Sequence, residues 1–142
     1  MGKRRDARLL AVQFLYQVEV GAKQELEPSL TNFWETTEAV PQLRKLAEPA
    51  IRGVLGCREE LDEQIKKYSQ NWDLHRIAPV DRSILRLALY EMLRCPDIPP
   101  VVSINEAIDI AKQLSTEESG RFVNGILDRV IKTFDRPTRG NA

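Results

Sequence analysis

Apolar residues recur every three to four positions along most of the chain, which is the spacing of one face of an α-helix. This periodicity predicts a first helix that ends near Val20, followed by a short amphipathic segment carrying Leu30, Phe33 and Trp34. Strand signals are nearly absent, because β-branched residues do not cluster and no Asn-Gly pair separates two alternating runs. The pattern therefore predicts an all-α fold.

The same helical pattern continues through the middle of the chain. Pro49 lies within one predicted helix, where proline favours a kink or a restart. The segment 80–93 is apolar around most of its circumference, so we predict that it forms the most buried helix. Prolines at 96, 99 and 100 close this helix.

Two capping boxes are predicted near the end of the chain, Ser103 with Glu106 and Ser115 with Glu118. In total we expect about seven helices, arranged as two packed three-helix-type bundles that share a core. The chain is expected to form one domain over residues 1–142, with sub-bundles at about 3–70 and 76–136. Residues 137–142 are expected to be a disordered tail.

Charge is balanced over the 142 residues, with 21 basic and 21 acidic side chains, but it is unevenly distributed. Four basic residues lie within the first eight positions, against Asp6 alone. Cys57 and Cys95 form neither a disulfide framework nor a metal-ligand spacing, and no apolar run approaches the roughly 20 residues of a membrane span. We therefore expect a cytoplasmic protein without a bound metal or cofactor.

The first helix is the main candidate for binding an anionic partner. At about 100° per residue, one of its sides is apolar, and the opposite side gathers Arg5, Arg8, Val12 and Tyr16. Guanidinium groups pair with phosphate oxygens, and an exposed tyrosine ring can stack on a base. The alternative is a solvated basic terminus with Tyr16 packed on a neighbouring helix.

The last helix carries a second candidate surface. Phe122 lies at the edge of its apolar stripe, and Glu118, Gly125 and Arg129 lie just outside that edge. A glycine within a helix costs about 1 kcal/mol relative to alanine, so Gly125 could serve the close approach of a partner. The alternative is that this glycine permits tight packing between helices of the chain itself.

Catalytic motifs are missing from the sequence. His75 is the single histidine, no nucleophile is arranged with it, and no glycine-rich phosphate loop follows a strand. We therefore predict a binding protein and not an enzyme.

Four stretches of the chain resemble the bacterial transcription antitermination factor NusB family. In order, they are RRDARLLAVQFLYQ, VDRSILRLALYEM, DIPPVVSINEAIDIAK and ESGRFVNGILDRV, which together extend from Arg4 to Val130. The resemblance implies an all-helical protein that pairs with the ribosomal protein acting as Nus factor E (NusE). It also implies binding of single-stranded boxA RNA in ribosomal RNA transcripts and action on the RNA polymerase elongation complex, without catalysis.

The resemblance also assigns residues, which agree in part with the helical projections. Position 81 would contact the ribosomal partner. The expected RNA-binding residues are Lys3, Arg4, Arg5, Arg8, Tyr16, Glu118, Phe122 and Arg129, and the expected partner-binding residues are Asp81 and Glu106. From the position of Arg8 we expect that reversing its charge weakens RNA binding and leaves the fold intact.

Other functions stay open at this point. The chain could be a protein-interaction scaffold, or a homodimer that hides the first helix. A related helical module also precedes the catalytic domain of certain ribosomal RNA cytosine methyltransferases, so a free-standing relative with another RNA-binding role is a further alternative. A degenerate enzyme domain would require an unexpected cofactor.

Overall fold

The computed structural model of the protein describes residues 2–37, 40–70 and 73–134. Within these ranges the chain forms seven α-helices, a 3-10 turn at Leu74–Arg76 and no strand. The helices are α1 (Lys3–Val20), α2 (Leu26–Thr37), α3 (Pro41–Gly56), α4 (Arg58–Tyr68), α5 (Pro79–Arg94), α6 (Pro100–Leu114) and α7 (Glu117–Ile131). The predicted all-α fold is confirmed for this part of the chain. The expected tail 137–142 lies outside the described residues.

Prolines and one glycine set several of the helix boundaries. Pro41, Pro79 and Pro100 each occupy the first position of a helix. Proline suits this position because its φ angle is already helical and its missing N–H would find no partner within the helix. At the other end of α1 the chain leaves the helix at Gly21, whose N–H still donates to the carbonyl of Gln17.

The first predicted capping box is wrong, because α6 begins earlier than its serine. With Pro100 at the start of α6, Ser103 lies inside the helix, where its hydroxyl donates over 2.7 Å to a carboxylate oxygen of Glu91 on α5. Glu106 turns toward α1 instead, where it pairs with Arg5. Tertiary contacts thus replace the local hydrogen bonds that the sequence pattern suggested.

The second capping box is also wrong, by a shift of one residue. Thr116 is the N-cap of α7, and its hydroxyl oxygen accepts the N–H of Ser119 at 3.0 Å. Ser115 ends α6, and Glu118 is an exposed residue in the first turn of α7. Two adjacent hydroxyl residues compete for the capping position here, and threonine occupies it.

The central element is α5, which contacts α1, α3, α4, α6 and α7. All residues from 81 to 89 are buried, and every helix contributes side chains to one apolar core around them. This confirms the prediction that 80–93 contains the most buried helix. The two halves of the chain therefore pack around the same helix.

Helix α3 passes through Pro49 without a break, so of the two predicted alternatives, a kink or a restart, the restart is wrong. Ala47, Ile51 and Val54 are buried on the face of α3 that packs in the core, and α3 contacts α1 directly. Proline removes one backbone hydrogen bond from a helix interior, and burial of this apolar face offsets that loss.

Ion pairs join the C-terminal end of α1 to α4 and α5. The carboxylate of Glu19 forms ion pairs with Arg58 at 2.7 Å, Arg82 at 2.8 Å and Arg86 at 3.3 Å. Arg86 also forms a bidentate pair with Asp62. Burial by itself raises the pKa of Glu19. The three guanidinium charges together lower it by more than burial raises it, so the pKa lies below the ordinary value. The cluster fixes the end of α1 against the central helix.

Candidate nucleic-acid interface

The first turn of α1 presents two exposed cations. Lys3 and Arg4 are both exposed, and no carboxylate of the described residues pairs with either of them. Gly2 precedes the helix without a side-chain cap, so the positive end of the helix dipole adds to these charges. This end of the helix therefore attracts anions, although its first turn also contains Asp6.

Arg5 is held by carboxylates of α6. Its Nε and Nη2 atoms donate to the two oxygens of Glu106 at 2.9 and 2.5 Å, and Nη2 also donates to Asp109 at 2.8 Å. These hydrogen bonds, led by that with Glu106, raise the pKa of Arg5 and lower that of Glu106. The expected partner-binding residue Glu106 thus takes part in a contact within the chain.

Arg8 is engaged even more fully. It forms a bidentate pair with Glu91 at 2.8 and 3.1 Å, lies 3.6 Å from Glu106, and keeps only 12% of its side chain exposed. Val12, which the projection placed on the same side, is buried with an exposure of 1%. The predicted solvent-facing side of α1 is therefore wrong at these positions, because α5 and α6 pack against it.

Tyr16 lies two turns beyond Arg8 and has 41% of its surface exposed. Val18 and Val20, near the C-terminal end of the same helix, are exposed to 38% and 50%. On a helical projection Val18 falls on the apolar side of α1, so its exposure differs from what the periodicity predicts. Tyr16 is therefore exposed enough to be available for stacking, and it is not buried in a helix interface.

The residues expected on α7 have different surroundings. Glu118 is exposed, and Phe122 is half-buried with its ring packed against the core. Arg129 donates to the backbone carbonyl of Tyr68 at 2.6 Å, which joins α7 to the end of α4. A Cβ atom at Gly125 would have only Arg129 within 4 Å, so within the described residues no neighbouring helix requires glycine there.

Asp81 lies in the first turn of α5 with 7% of its surface exposed. One of its oxygens accepts a hydrogen bond from Ser119 at 3.4 Å, and the other has no donor among the described residues. Burial raises the pKa of Asp81, and the Ser119 hydroxyl opposes this effect. A buried carboxylate oxygen without a donor is costly, so a donor from a partner would stabilise it.

A cleft of about 200 Å³, which sequence patterns did not suggest, lies beside the basic start of α1. Its lining is mostly apolar, with Ala7, Ala11 and Leu87 among its residues, and also includes Arg4 and Arg8. The sequence patterns also did not indicate that Arg5 and Arg8 have acidic partners. Glu106 and Asp109 lie three residues apart, hence on one face of α6, and this spacing is the signal that could have identified them.

Other kinds of site find no support in the described part of the chain. There, no group of three or more histidine, cysteine, aspartate or glutamate side chains could hold a metal ion. None of the described helices has the length and apolar character required to cross a membrane.

The fold and this surface together define a class of protein. Exposed cations at the start of a helix, with an exposed tyrosine further along it, are features that a nucleic-acid-binding surface can use. The model of the NusB family matches residues 5–132, and the chain belongs to this family. The resemblance seen in the sequence is thereby confirmed.

Relatives of known name match this chain over nearly their whole length. The transcription antitermination protein NusB of Methylacidiphilum infernorum is 46% identical over 136 residues, which cover 96% of this chain and 95% of that protein. The NusB protein of Myxococcus xanthus is 41% identical over 141 residues, covering 96% and 100%.

Solved structures share the fold. NusB of T. maritima superimposes with a TM-score of 0.83 at 41% identity, covering 94% of this chain and 93% of that one. A crystal structure of antitermination factors NusB and NusE in complex with dsRNA matches with a TM-score of 0.82, covering 94% and 99%. At 24% identity, the second likeness shows the common fold alone.

Proposed function

We propose that this protein is an RNA-binding transcription antitermination factor. The observation that carries the proposal is the start of α1, where Lys3 and Arg4 are exposed and unpaired among the described residues, with Tyr16 exposed further along the same helix. Membership of the NusB family supports it, since relatives that match almost end to end are transcription antitermination proteins.

The proposed ligand is the single-stranded boxA element of ribosomal RNA transcripts. Lys3 and Arg4 would neutralise phosphates, and Tyr16 would stack on a base. Stacking favours single strands, because bases within a duplex do not present a face to a side chain. On α7, Phe122 would add a second stacking surface, with Glu118 and Arg129 near it, and the exposed start of this helix leaves room for RNA.

The proposed protein partner is the ribosomal protein that acts as NusE. A structural neighbour of the same fold was crystallised with NusE, and Asp81 supports a comparable contact here because one of its buried oxygens lacks a donor. We propose that the pair acts in the cytoplasm on the RNA polymerase elongation complex, by binding and without catalysis. Because Glu106 is engaged by Arg5 and Arg8, we now assign it to the RNA-binding side of the molecule and not to the partner contact.

A binding titration tests the proposal. A short boxA-like single-stranded RNA and a scrambled RNA would be titrated at several salt concentrations, with and without NusE. We expect tighter binding of the boxA-like RNA and a larger preference when NusE is present. Arg4→Gln should weaken binding and make the log–log salt slope shallower by about 0.7, because one phosphate fewer is neutralised. Tyr16→Ala should weaken binding with little change of slope.

Lys66→Gln is the matched control, because it removes an exposed cation of α4 that pairs only weakly with Glu63 at 3.7 Å. It should leave RNA affinity unchanged. Equal weak binding of both RNAs, unaffected by NusE or by Arg4→Gln, would contradict the proposal. A stable homodimer that buries α1 would then favour the scaffold alternative, and sedimentation measurements would detect it.

A further inference from the structure

The guanidinium group of Arg5 has two edges that can each form a pair of parallel hydrogen bonds. Its side edge, formed by Nε and one hydrogen of Nη2, is occupied by the two oxygens of Glu106. The outer edge consists of Nη1 and the second hydrogen of Nη2, and Asp109 accepts from that Nη2 at 2.8 Å. A phosphate that binds Arg5 in the usual bidentate manner must use this outer edge.

The two carboxylates differ in how easily they can be displaced. The side chain of Glu106 is 19% exposed and lies 3.6 Å from Arg8, so it forms ion pairs with both Arg5 and Arg8. The side chain of Asp109 is 49% exposed and contacts Arg5 through a single oxygen. Exposed ion pairs contribute little to stability, so Asp109 can move into solvent when another anion arrives.

We propose that Glu106 and Asp109 have separate roles in RNA binding. Glu106 positions the guanidinium plane of Arg5, and Asp109 competes with an RNA phosphate for its outer edge. The protein thus carries its own competitor for a phosphate site, and this competitor lowers RNA affinity. This inference rests on the proposed function, because it assigns residues to the same RNA-binding surface.

The test is Asp109→Asn, with Asp128→Asn as the matched control. Asp128 lies on α7, has 56% of its side chain exposed and pairs with Lys132, so the control removes one similarly exposed carboxylate elsewhere. We expect Asp109→Asn to bind the boxA-like RNA about three- to tenfold more tightly than the control variant does. Its salt slope should be steeper by about 0.7, since one more phosphate is contacted. Asp109→Glu should restore affinity toward that of the unmodified protein.

A double-mutant cycle separates this competition from a general change of charge. When Arg5 is already Gln, Asp109→Asn should give no more gain than Asp128→Asn does, because the shared guanidinium is gone. An equal gain in both backgrounds would overturn the proposal, and so would identical affinities of Asp109→Asn and Asp128→Asn.

The outcomes also distinguish this proposal from the proposed function. If the protein prefers boxA-like RNA but Asp109→Asn behaves like its control, the competition is wrong and the proposed function stands. If the protein shows no preference between the two RNAs and Arg4→Gln changes nothing, both are wrong.

Discussion

Arg4 and Arg8 lie one turn apart on α1, yet their surroundings predict opposite roles. Arg4 is exposed, whereas Arg8 is mostly buried and pairs with Glu91, which also accepts a hydrogen bond from Ser103. The charge of Arg4 can therefore act on a ligand in solvent. The charge of Arg8 holds α1 against α5, so we expect that reversing it also affects the fold.

We therefore expect Arg8→Glu to lower the free energy of unfolding by about 3–5 kcal/mol, because it places three carboxylates together in a poorly solvated site. Arg4→Glu should change stability by only about 0.5 kcal/mol, as is usual for exposed positions. Urea denaturation of both variants measures the difference. Similar stabilities of the two variants would show that the Arg8–Glu91 pair is not important for the fold.

At the scale of the helices, two glycines within helices serve different purposes. A Cβ atom at Gly53 of α3 would lie 2.2 Å from the ring of Tyr90 on α5, so that glycine is required by the contact between these two helices. A Cβ atom at Gly125 of α7 would meet only Arg129, at 3.9 Å. The fold therefore needs the first glycine and not the second.

Gly125→Ala should stabilise the protein by up to about 1 kcal/mol, which is the difference in helix propensity. Gly53→Ala should destabilise it in spite of the same gain in propensity, because the Tyr90 ring must move. Thermal unfolding of both variants compares them directly. A loss of RNA or NusE binding in a stabilised Gly125→Ala protein would indicate that a partner approaches this glycine closely.

At the scale of the whole molecule, the ion pairs around Glu19 make stability depend on pH. The pKa of Glu19 in the folded protein lies below its ordinary value of 4.5. Its ion pairs therefore contribute fully above that value, and their contribution is lost as the pH falls through the folded pKa.

Glu19→Gln should cost about 3 kcal/mol at neutral pH, because Arg82 and Arg86 lose a buried partner. The difference from the unmodified protein should shrink as the pH falls from about 4.5 through the lower pKa of Glu19 in the folded protein, where this carboxylate becomes protonated. Urea denaturation between neutral and acidic pH measures this convergence. Glu63→Gln, at an exposed position, should show almost no difference at any pH, and a constant gap for Glu19→Gln would contradict the argument.

Much of the fold could be predicted because helical periodicity is a local property. The spacing of apolar residues identified α1, the burial of α5 and the end of α1 near Val20. The same local reasoning was wrong at the capping boxes, since Ser103 and Glu106 find partners on α5 and α1 that a sequence pattern does not show.

For the candidate site, the sequence alone determined which residue types gather at the start of the chain and which family the chain resembles. Only the tertiary structure decided which of these cations are available. Lys3 and Arg4 stay exposed, while Arg5 and Arg8 meet Glu106, Asp109 and Glu91. The physical reason is that a helical projection describes one helix in isolation, whereas the charge available to a ligand depends on which carboxylates neighbouring helices bring within a few ångströms.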